Sequence, residues 1–185
     1  MDLIDERTGL CLLRRARSAI PPPFYGRDLK DLRKEFDLVP PPRGVFVTLR
    51  RFARLRGCIG TFSPRGDLPE TVVEMAVAAL QDPRFTATPI GTAELSHIRI
   101  ELSILSPLER ITDPLAFERG RHGVYIRHGS ASGCFLPEVG MDQGWDREMF
   151  LSELCRQKAG LPPRAWADKQ AEIHIFTVQK FAEKP

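Results

Sequence analysis

Cysteine is scarce in this chain and never occurs as a close pair. The four cysteines lie at positions 11, 58, 134 and 155, and no C-x-x-C motif is present. Zinc sites and redox motifs usually place their cysteines closer together, so the sequence supports neither kind of site. We therefore expect free thiols, as in a reducing compartment, and predict neither a bound metal nor a cofactor.

Long apolar runs are also absent. No stretch approaches the ~20 residues that a membrane-spanning helix requires. The segment Met1–Glu6 carries acids early and has no basic flank before an apolar stretch, which is unlike a secretory signal. These features predict a cytoplasmic protein with no membrane partner.

Several common functional signatures are missing. The sequence has no Walker loop, no G-x-G-x-x-G, no H-E-x-x-H and no G-x-S-x-G. With 8% aromatic residues and no recognisable binding module, specific recognition of nucleic acid is not expected. Charge is nevertheless uneven: residues 1–56 hold 13 basic and 7 acidic residues, whereas the remainder holds 14 and 17. The simplest explanation of this uneven charge is that the arginines lie on solvated surface helices. Nucleotide or RNA binding by this basic N-terminal third is the last-ranked functional alternative.

The residues that are present predict one globular domain of α+β class. The 185 residues are 42% hydrophobic and 28% charged. Apolar periodicity and capping residues predict helices from Asp5 to about Ile20, from Asp67 to just before Asp82, and from Asp146 to about Lys158. Strands are predicted at residues 44–49, 54–61, 98–104, 123–128, 132–136 and 171–178. Helices and strands do not alternate strictly, which favours α+β over a doubly wound sheet.

Two proline blocks mark the N-terminal region, Pro21–Pro23 and Pro40–Pro42. Proline cannot continue a helix, so the first block ends the first predicted helix, and a second short helix is predicted between the blocks at residues 27–36. We interpret residues 1–43 as a helical arm packed on the body, and residues 44–185 as the rest of the domain.

The strand that reads Leu55-Arg56-Gly57-Cys58-Ile59-Gly60 carries the most chemistry. Strict alternation would place Arg54, Arg56, Cys58 and Gly60 on one face. A guanidinium beside a thiol favours the thiolate, which is the nucleophilic form. Glycine in a strand marks a bulge or the close approach of a ligand or another backbone. The alternative is that Cys58 is a small core residue, as we expect for Cys11, Cys134 and Cys155.

Other candidates are weaker when taken singly. Asp82 and Arg84 could place a carboxylate and a bidentate guanidinium donor beside the sheet. Alternatively, they could mark the end of the helix and form a local ion pair. His122 is a candidate acid or base, or an ordinary surface residue. Glu138 follows a strand and could line a cleft, or it could be a first-turn acid of a helix.

The hexapeptide at residues 55–60, followed by Thr61, resembles the hallmark of the AmmeMemoRadiSam system protein A family, the AMME domain. The resemblance extends from about residue 8 to 181. Its further blocks are Gly44–Leu49, Asp82–Phe85, Ser103–Ser106, His122–Gly123, Leu136–Val139 and Gly144–Asp146. It implies a mixed sheet, two closely packed subdomains around a cleft, and partnership with a Memo-like protein and a radical S-adenosylmethionine enzyme. It supplies no settled reaction.

Three functional hypotheses follow. In the first, the chain is an enzyme or enzyme component in which Cys58 is the nucleophile or a transient ligand. Arg56 would then favour the thiolate, and His122 would move protons. Arg84 and Glu138 would orient an anionic or amine-bearing substrate, with Gly57, Gly60 and Asp82 shaping its site. In the second, the chain is a non-catalytic scaffold for protein partners, and the third is the nucleotide or RNA binding named above.

Overall fold

The computed structural model describes residues 3–20 and 41–184. Its elements in chain order are α1 (Glu6–Ala19), β1 (Val45–Arg51), β2 (Arg54–Thr61), α2 (Leu68–Leu80), a 3-10 turn (Pro83–Phe85), α3 (Thr92–Leu95), β3 (Ile98–Leu105), β4 (Glu109–Ile111), β5 (Gly123–His128), β6 (Ala131–Phe135), α4 (Arg147–Leu154) with a π-helical continuation (Cys155–Ala159), a second 3-10 turn (Ala165–Ala167), β7 (Glu172–Phe176) and β8 (Val178–Ala182).

Side-chain caps fix where the three longer helices begin. The carboxylates of Asp5, Asp67 and Asp146 each accept a backbone N–H three residues further on, which satisfies a donor that the first turn leaves without a partner. Gly160 ends the last helix in the left-handed conformation, with φ of 65°. The three helices predicted from the sequence are thus confirmed.

The first compact unit comprises the chain up to Leu105 and the C-terminal segment from Gln179. Its sheet has the order β2-β1-β3-β8, so β2 and β8 lie at the edges. Alternate residues of β1 and β3 face a core that α1 and α2 cover, and all of them are fully buried: Val45, Val47, Leu49, Ile100, Leu102 and Ile104. The opposite face of this sheet carries the intervening residues of both strands, which are mostly polar and include Thr48, Arg50, Glu101 and Ser103.

The second compact unit spans Ser106–Val178. Its sheet has the order β4-β7-β5-β6, and α4 with its π-helical continuation packs against this sheet. Phe150, Leu151 and Leu154 of α4 meet Val124 and Ile126 of β5 in a separate core. This unit therefore has its own hydrophobic centre.

The α+β class is confirmed, and the sheet arrangement is refined. The described residues form two four-stranded sheets whose registered pairs are antiparallel, rather than one mixed sheet. The sequence missed the three-residue β4 and treated 171–178 as one strand, although β7 ends at Phe176 and β8 begins at Val178. Residues 21–40 lie outside the described residues, and with them lie the first proline block, the predicted helix at 27–36 and Pro40. The arm at 1–43 therefore stays a prediction.

Across the described ranges, no helix is both long and apolar enough to cross a membrane.

Gly57 of β2 lies directly against the last turn of α2. A Cβ at this position would overlap the carbonyl oxygen of Ala79, which belongs to the helix backbone and cannot swing aside. The glycine is therefore needed for the close approach of helix and strand, one of the two reasons for which glycine occurs in strands.

We expect Gly57→Ala to lower the free energy of unfolding by about 3 kcal/mol, since either the strand or the helix must move. Gly91→Ala is the matched control, because a Cβ at Gly91 meets nothing within 4 Å. Its cost should stay below about 1 kcal/mol. Urea unfolding of both variants measures the difference, and equal midpoints would show that α2 does not depend on Gly57.

Candidate functional site

Cys58 lies on the sheet face that points away from the core of the first unit. It is directly opposite Thr48 of β1, and Thr48 is in turn opposite Glu101 of β3. The Thr48 hydroxyl donates to the Cys58 sulfur at 3.3 Å. The thiol is half-buried, whereas Cys11 and Cys155 are buried. Cys58 is thus not a core residue, and its sulfur contacts a polar neighbour.

A β-bulge in β2 changes which residues share the face of Cys58. The pairs Leu49–Gly57 and Arg50–Leu55 leave Arg56 as the extra residue. Beyond the bulge, Arg54 is opposite Arg51, on the same face as Gly57. The prediction that Arg54 lies on the Cys58 face is therefore wrong, because the bulge shifts the alternation by one residue.

Arg56 is instead held in a buried ion pair. Its guanidinium donates to both carboxylate oxygens of Glu94, at 2.6 and 3.1 Å, and to the carbonyl oxygen of Thr88 at 2.8 Å. The residue is 6% exposed, and the Glu94 carboxylate raises the pKa of Arg56 further. Arg56 therefore fixes the segment between α2 and β3 to the strand.

Asp82 and Arg84 hold the backbone of Cys58 from its open side. The Asp82 carboxylate accepts the Cys58 N–H at 2.9 Å, and the Arg84 guanidinium donates to the Cys58 carbonyl oxygen at 3.1 Å. Arg84 also donates to Asp82 at 2.6 Å. Both backbone groups of Cys58 therefore point away from β1, so Cys58 and Thr48 form a non-hydrogen-bonded pair. In such a pair the two opposite side chains lie closer together than in a hydrogen-bonded pair. We call this arrangement of Asp82, Arg84 and Cys58 the clasp.

The electrostatics of the clasp follow from its hydrogen bonds. The Arg84 side chain, followed by the N–H groups of Cys58 and Arg84, lowers the pKa of the buried Asp82 carboxyl to about 2. Asp82 in turn raises the pKa of Arg84, and the Cys58 thiol adds to that effect. Arg84, whose side chain is 52% exposed, is thus the guanidinium that contacts Cys58, through the carbonyl oxygen of its backbone.

Gly60 also lies on the face of Cys58, opposite Phe46. A Cβ on Gly60 would overlap the ring of Phe46. The absence of a side chain here leaves room for that ring, which packs edge-on against Phe62 with 5.6 Å between the centroids. The glycine is explained by packing within the strand pair.

His122 and Glu138 belong to the second unit. The Nδ1 atom of half-buried His122 accepts the backbone N–H of Glu118 at 3.1 Å, which places the proton of the neutral ring on Nε2. Glu138 is exposed, in the turn that follows β6, and its carbonyl oxygen accepts the N–H of Met141. The remaining sequence candidates, Arg56, Gly57, Cys58, Gly60, Asp82 and Arg84, are all in the first unit.

Sequence reasoning missed Thr48 and Glu101, which share the row of Cys58. Their polar character within apolar strands was visible, but their alignment with Cys58 depends on a register that no local signal contains. Glu101 forms an ion pair with Arg50 at 3.0 Å. Among the residues described, no group of three or more His, Cys, Asp or Glu side chains is placed to hold a metal.

Comparison with known proteins identifies the family. The AMMECR1 family model matches residues 13–181. A Methanopyrus kandleri protein is 43% identical over 77% of this chain and 72% of its own length, and a Pyrococcus furiosus protein is 37% identical over 98% and 90%. The crystal structure of an uncharacterised Pyrococcus horikoshii protein superposes with a TM-score of 0.79 at 35% identity, covering 98% of this chain and 94% of that one. The chain belongs to the AMMECR1 family.

The lowered pKa of Asp82 predicts a specific acid sensitivity. The folded-state pKa of about 2 is below the ordinary value of 3.8, so this carboxylate stabilises the fold above pH 4, and the contribution is lost as pH falls towards 2. Between pH 4 and 2 the wild type should lose about 2 kcal/mol more unfolding free energy than Asp82→Asn.

Urea unfolding at a series of pH values measures this difference. Asp142→Asn, which removes an exposed carboxyl, serves as the control and should follow the wild type. Parallel curves for the wild type and Asp82→Asn would show that the clasp does not depend on the charge of Asp82.

Proposed function

We propose that this AMMECR1-family chain is a cytoplasmic component of a modification system, acting with a Memo-like protein and a radical S-adenosylmethionine enzyme, and that its chemistry centres on the Cys58 thiol. The partnership is taken from the family resemblance. The role of Cys58 is argued from the geometry of the first unit.

One observation carries the proposal: Cys58 combines a half-buried thiol with a fixed backbone and two polar neighbours. Thr48 donates to the sulfur, and the exposed Arg84 guanidinium donates to the carbonyl oxygen of the same residue. A hydrogen-bond donor and a cation both stabilise a thiolate. A reactive group also needs a supporting structure that holds it in place, and the clasp supplies this by fixing both backbone groups of Cys58.

The residue roles are therefore distributed differently from the first hypothesis. Arg84 takes the thiolate-stabilising role that sequence reasoning gave to Arg56, because Arg56 is paired with Glu94. Asp82 is a positioning residue that orients Arg84 and the strand. Proton transfer by the Nε2 atom of His122 and substrate orientation by Glu138 remain predictions.

The second candidate function is a non-catalytic binding module for protein partners. It is favoured by the fact that the polar groups of Asp82, Arg56 and Glu94 already serve the fold, through hydrogen bonds within the first unit. In that case the face around Cys58 would be a rigid contact surface, and the thiol would not need to react.

The rate of alkylation separates the two candidates. We expect iodoacetamide at pH 7 to modify Cys58 of the native protein at least tenfold faster than Cys134, the other half-buried cysteine. Arg84→Gln should slow the reaction at Cys58 severalfold because it removes the cation that favours the thiolate. Peptide mass spectrometry measures the rate at each cysteine.

Two controls keep this test decisive. Arg127→Gln removes a comparably exposed guanidinium from the second unit and should leave the rate at Cys58 unchanged. A circular dichroism spectrum and an unfolding midpoint should show that Arg84→Gln is still folded. If Cys58 reacts no faster than Cys134, the hypothesis that Cys58 is a nucleophile is rejected. The binding-module function is then tested by co-purification with the Memo-like protein and the radical enzyme.

A further inference from the structure

The hairpin between β1 and β2 ends in an exposed aromatic residue. Phe52 lies at the tip, between Arg51 and Arg54, and is 80% exposed. Among the described large hydrophobic residues it is the most exposed. An apolar ring in this position contributes nothing to the core and is accessible to a ligand.

The backbone at Phe52 is strained. Its φ of 52° is the only positive value at a non-glycine residue within the described chain. A bulky residue in the left-handed region is a genuine outlier, whereas glycine adopts that conformation without cost. The hairpin thus keeps a phenylalanine where glycine would stabilise the turn, and such strain is typical of ligand-binding positions.

The arginines around the tip differ in whether they form a salt bridge. Three nearby arginines are neutralised by carboxylates, since Arg17 pairs with Glu183, Arg50 with Glu101 and Arg56 with Glu94. By contrast, the described residues provide no salt-bridge partner for Arg51 or Arg54. Both are exposed, and the Arg51 guanidinium lies over the Phe52 ring, 6.0 Å from its centroid. The tip therefore presents a ring beside two exposed guanidinium groups that form no salt bridge within the described residues, although both act electrostatically on the Glu94 carboxylate.

A groove of about 710 Å³ adjoins the tip within the first unit. Phe52 forms part of its wall, and Leu95 and Ile98 supply apolar surface. Its polar groups include His97, Lys184 and the Arg17–Glu183 ion pair. This volume lies within the range of pockets that accept small organic ligands. A planar group stacked on Phe52 would lie at the groove.

We propose that the β1–β2 tip and the adjoining groove bind single-stranded nucleic acid, with a base stacked on Phe52 and backbone phosphates on Arg51 and Arg54. Sequence-tolerant binding of single strands uses this combination of an aromatic platform and a basic track. A membrane surface fits less well, because the tip offers a single large apolar side chain. This inference is independent of Cys58.

The test is fluorescence anisotropy with fluorescein-labelled 12-mers of oligo(U) and oligo(dT), titrated with the full chain over a range of KCl concentrations. Phe52→Gly should weaken binding about 5- to 150-fold through loss of stacking. Phe52→Trp should retain binding. Because glycine relieves the strain, the unfolding midpoint of Phe52→Gly should equal or exceed that of the wild type, so misfolding cannot explain the loss.

The arginines are tested by the salt dependence of the same titration. Replacing Arg51 and Arg54 together by Gln should reduce the slope of log K against log salt by about 1.4, since each phosphate contact to a single strand contributes roughly 0.7. The matched control replaces Arg65 and Arg164, which are exposed and remote in sequence from the tip, and carries the same change in net charge. Its slope should stay close to that of the wild type.

Three results would overturn the proposal. One is equal weakening by both arginine pairs, which would indicate diffuse electrostatic attraction. Another is displacement of the oligonucleotide by UMP below millimolar concentration, which would assign the groove to a free nucleotide. The third is absence of oligonucleotide binding together with Phe52-dependent sedimentation on phosphatidylserine–phosphatidylcholine vesicles, which would assign the tip to a membrane.

Discussion

The carboxylate of Asp82 takes the place of a neighbouring strand at the open edge of β2. An edge strand leaves its outward N–H and C=O groups without ladder partners. At Cys58 both groups are satisfied by side chains, the N–H by Asp82 and the carbonyl oxygen by Arg84. A buried carboxylate is tolerated because three donor groups surround it: two backbone N–H groups and the Arg84 guanidinium. The orientation of the Cys58 side chain towards Thr48 depends on this arrangement.

The bulge at Arg56 and the contact of Gly57 with α2 belong to the same local structure. The extra residue allows Arg56 to reach Glu94, while Gly57 permits the last turn of α2 to approach the strand. Phe85 lies between the two guanidinium groups, with its ring centroid 5.9 Å from Arg56 and 5.7 Å from Arg84. The segment after α2 is thereby attached to the strand at the bulge residue Arg56 and at Cys58. Most of the hexapeptide is thus explained by structure, and Cys58 is the member whose side chain stays available for chemistry.

The two surfaces considered for function share the β1–β2 hairpin. Thr48 and Cys58 are opposite one another in its body, and Phe52 occupies its tip. The excess of basic residues in the N-terminal third is only weak support for nucleic-acid binding, because most of its arginines could be solvated or paired with carboxylates. Among the described residues, the structure pairs Arg17, Arg50 and Arg56 with carboxylates and places the Arg51 guanidinium over the exposed Phe52 ring.

Local sequence by itself determined the type and the approximate limits of most elements. Helix caps such as Asp67 and the alternation in β3 act over a few residues, so their signals are contained in short windows. Local sequence also singled out Cys58, Asp82 and Arg84. It could not place the side chains of β2, because a bulge exists only relative to a partner strand. The pairing of Cys58 with Thr48, of Cys58 with Asp82 and of Arg56 with Glu94 joins residues 10, 24 and 38 positions apart. Only the tertiary structure decided those partners, since hydrogen bonds and ion pairs depend on distances in space that the spacing along the chain does not specify.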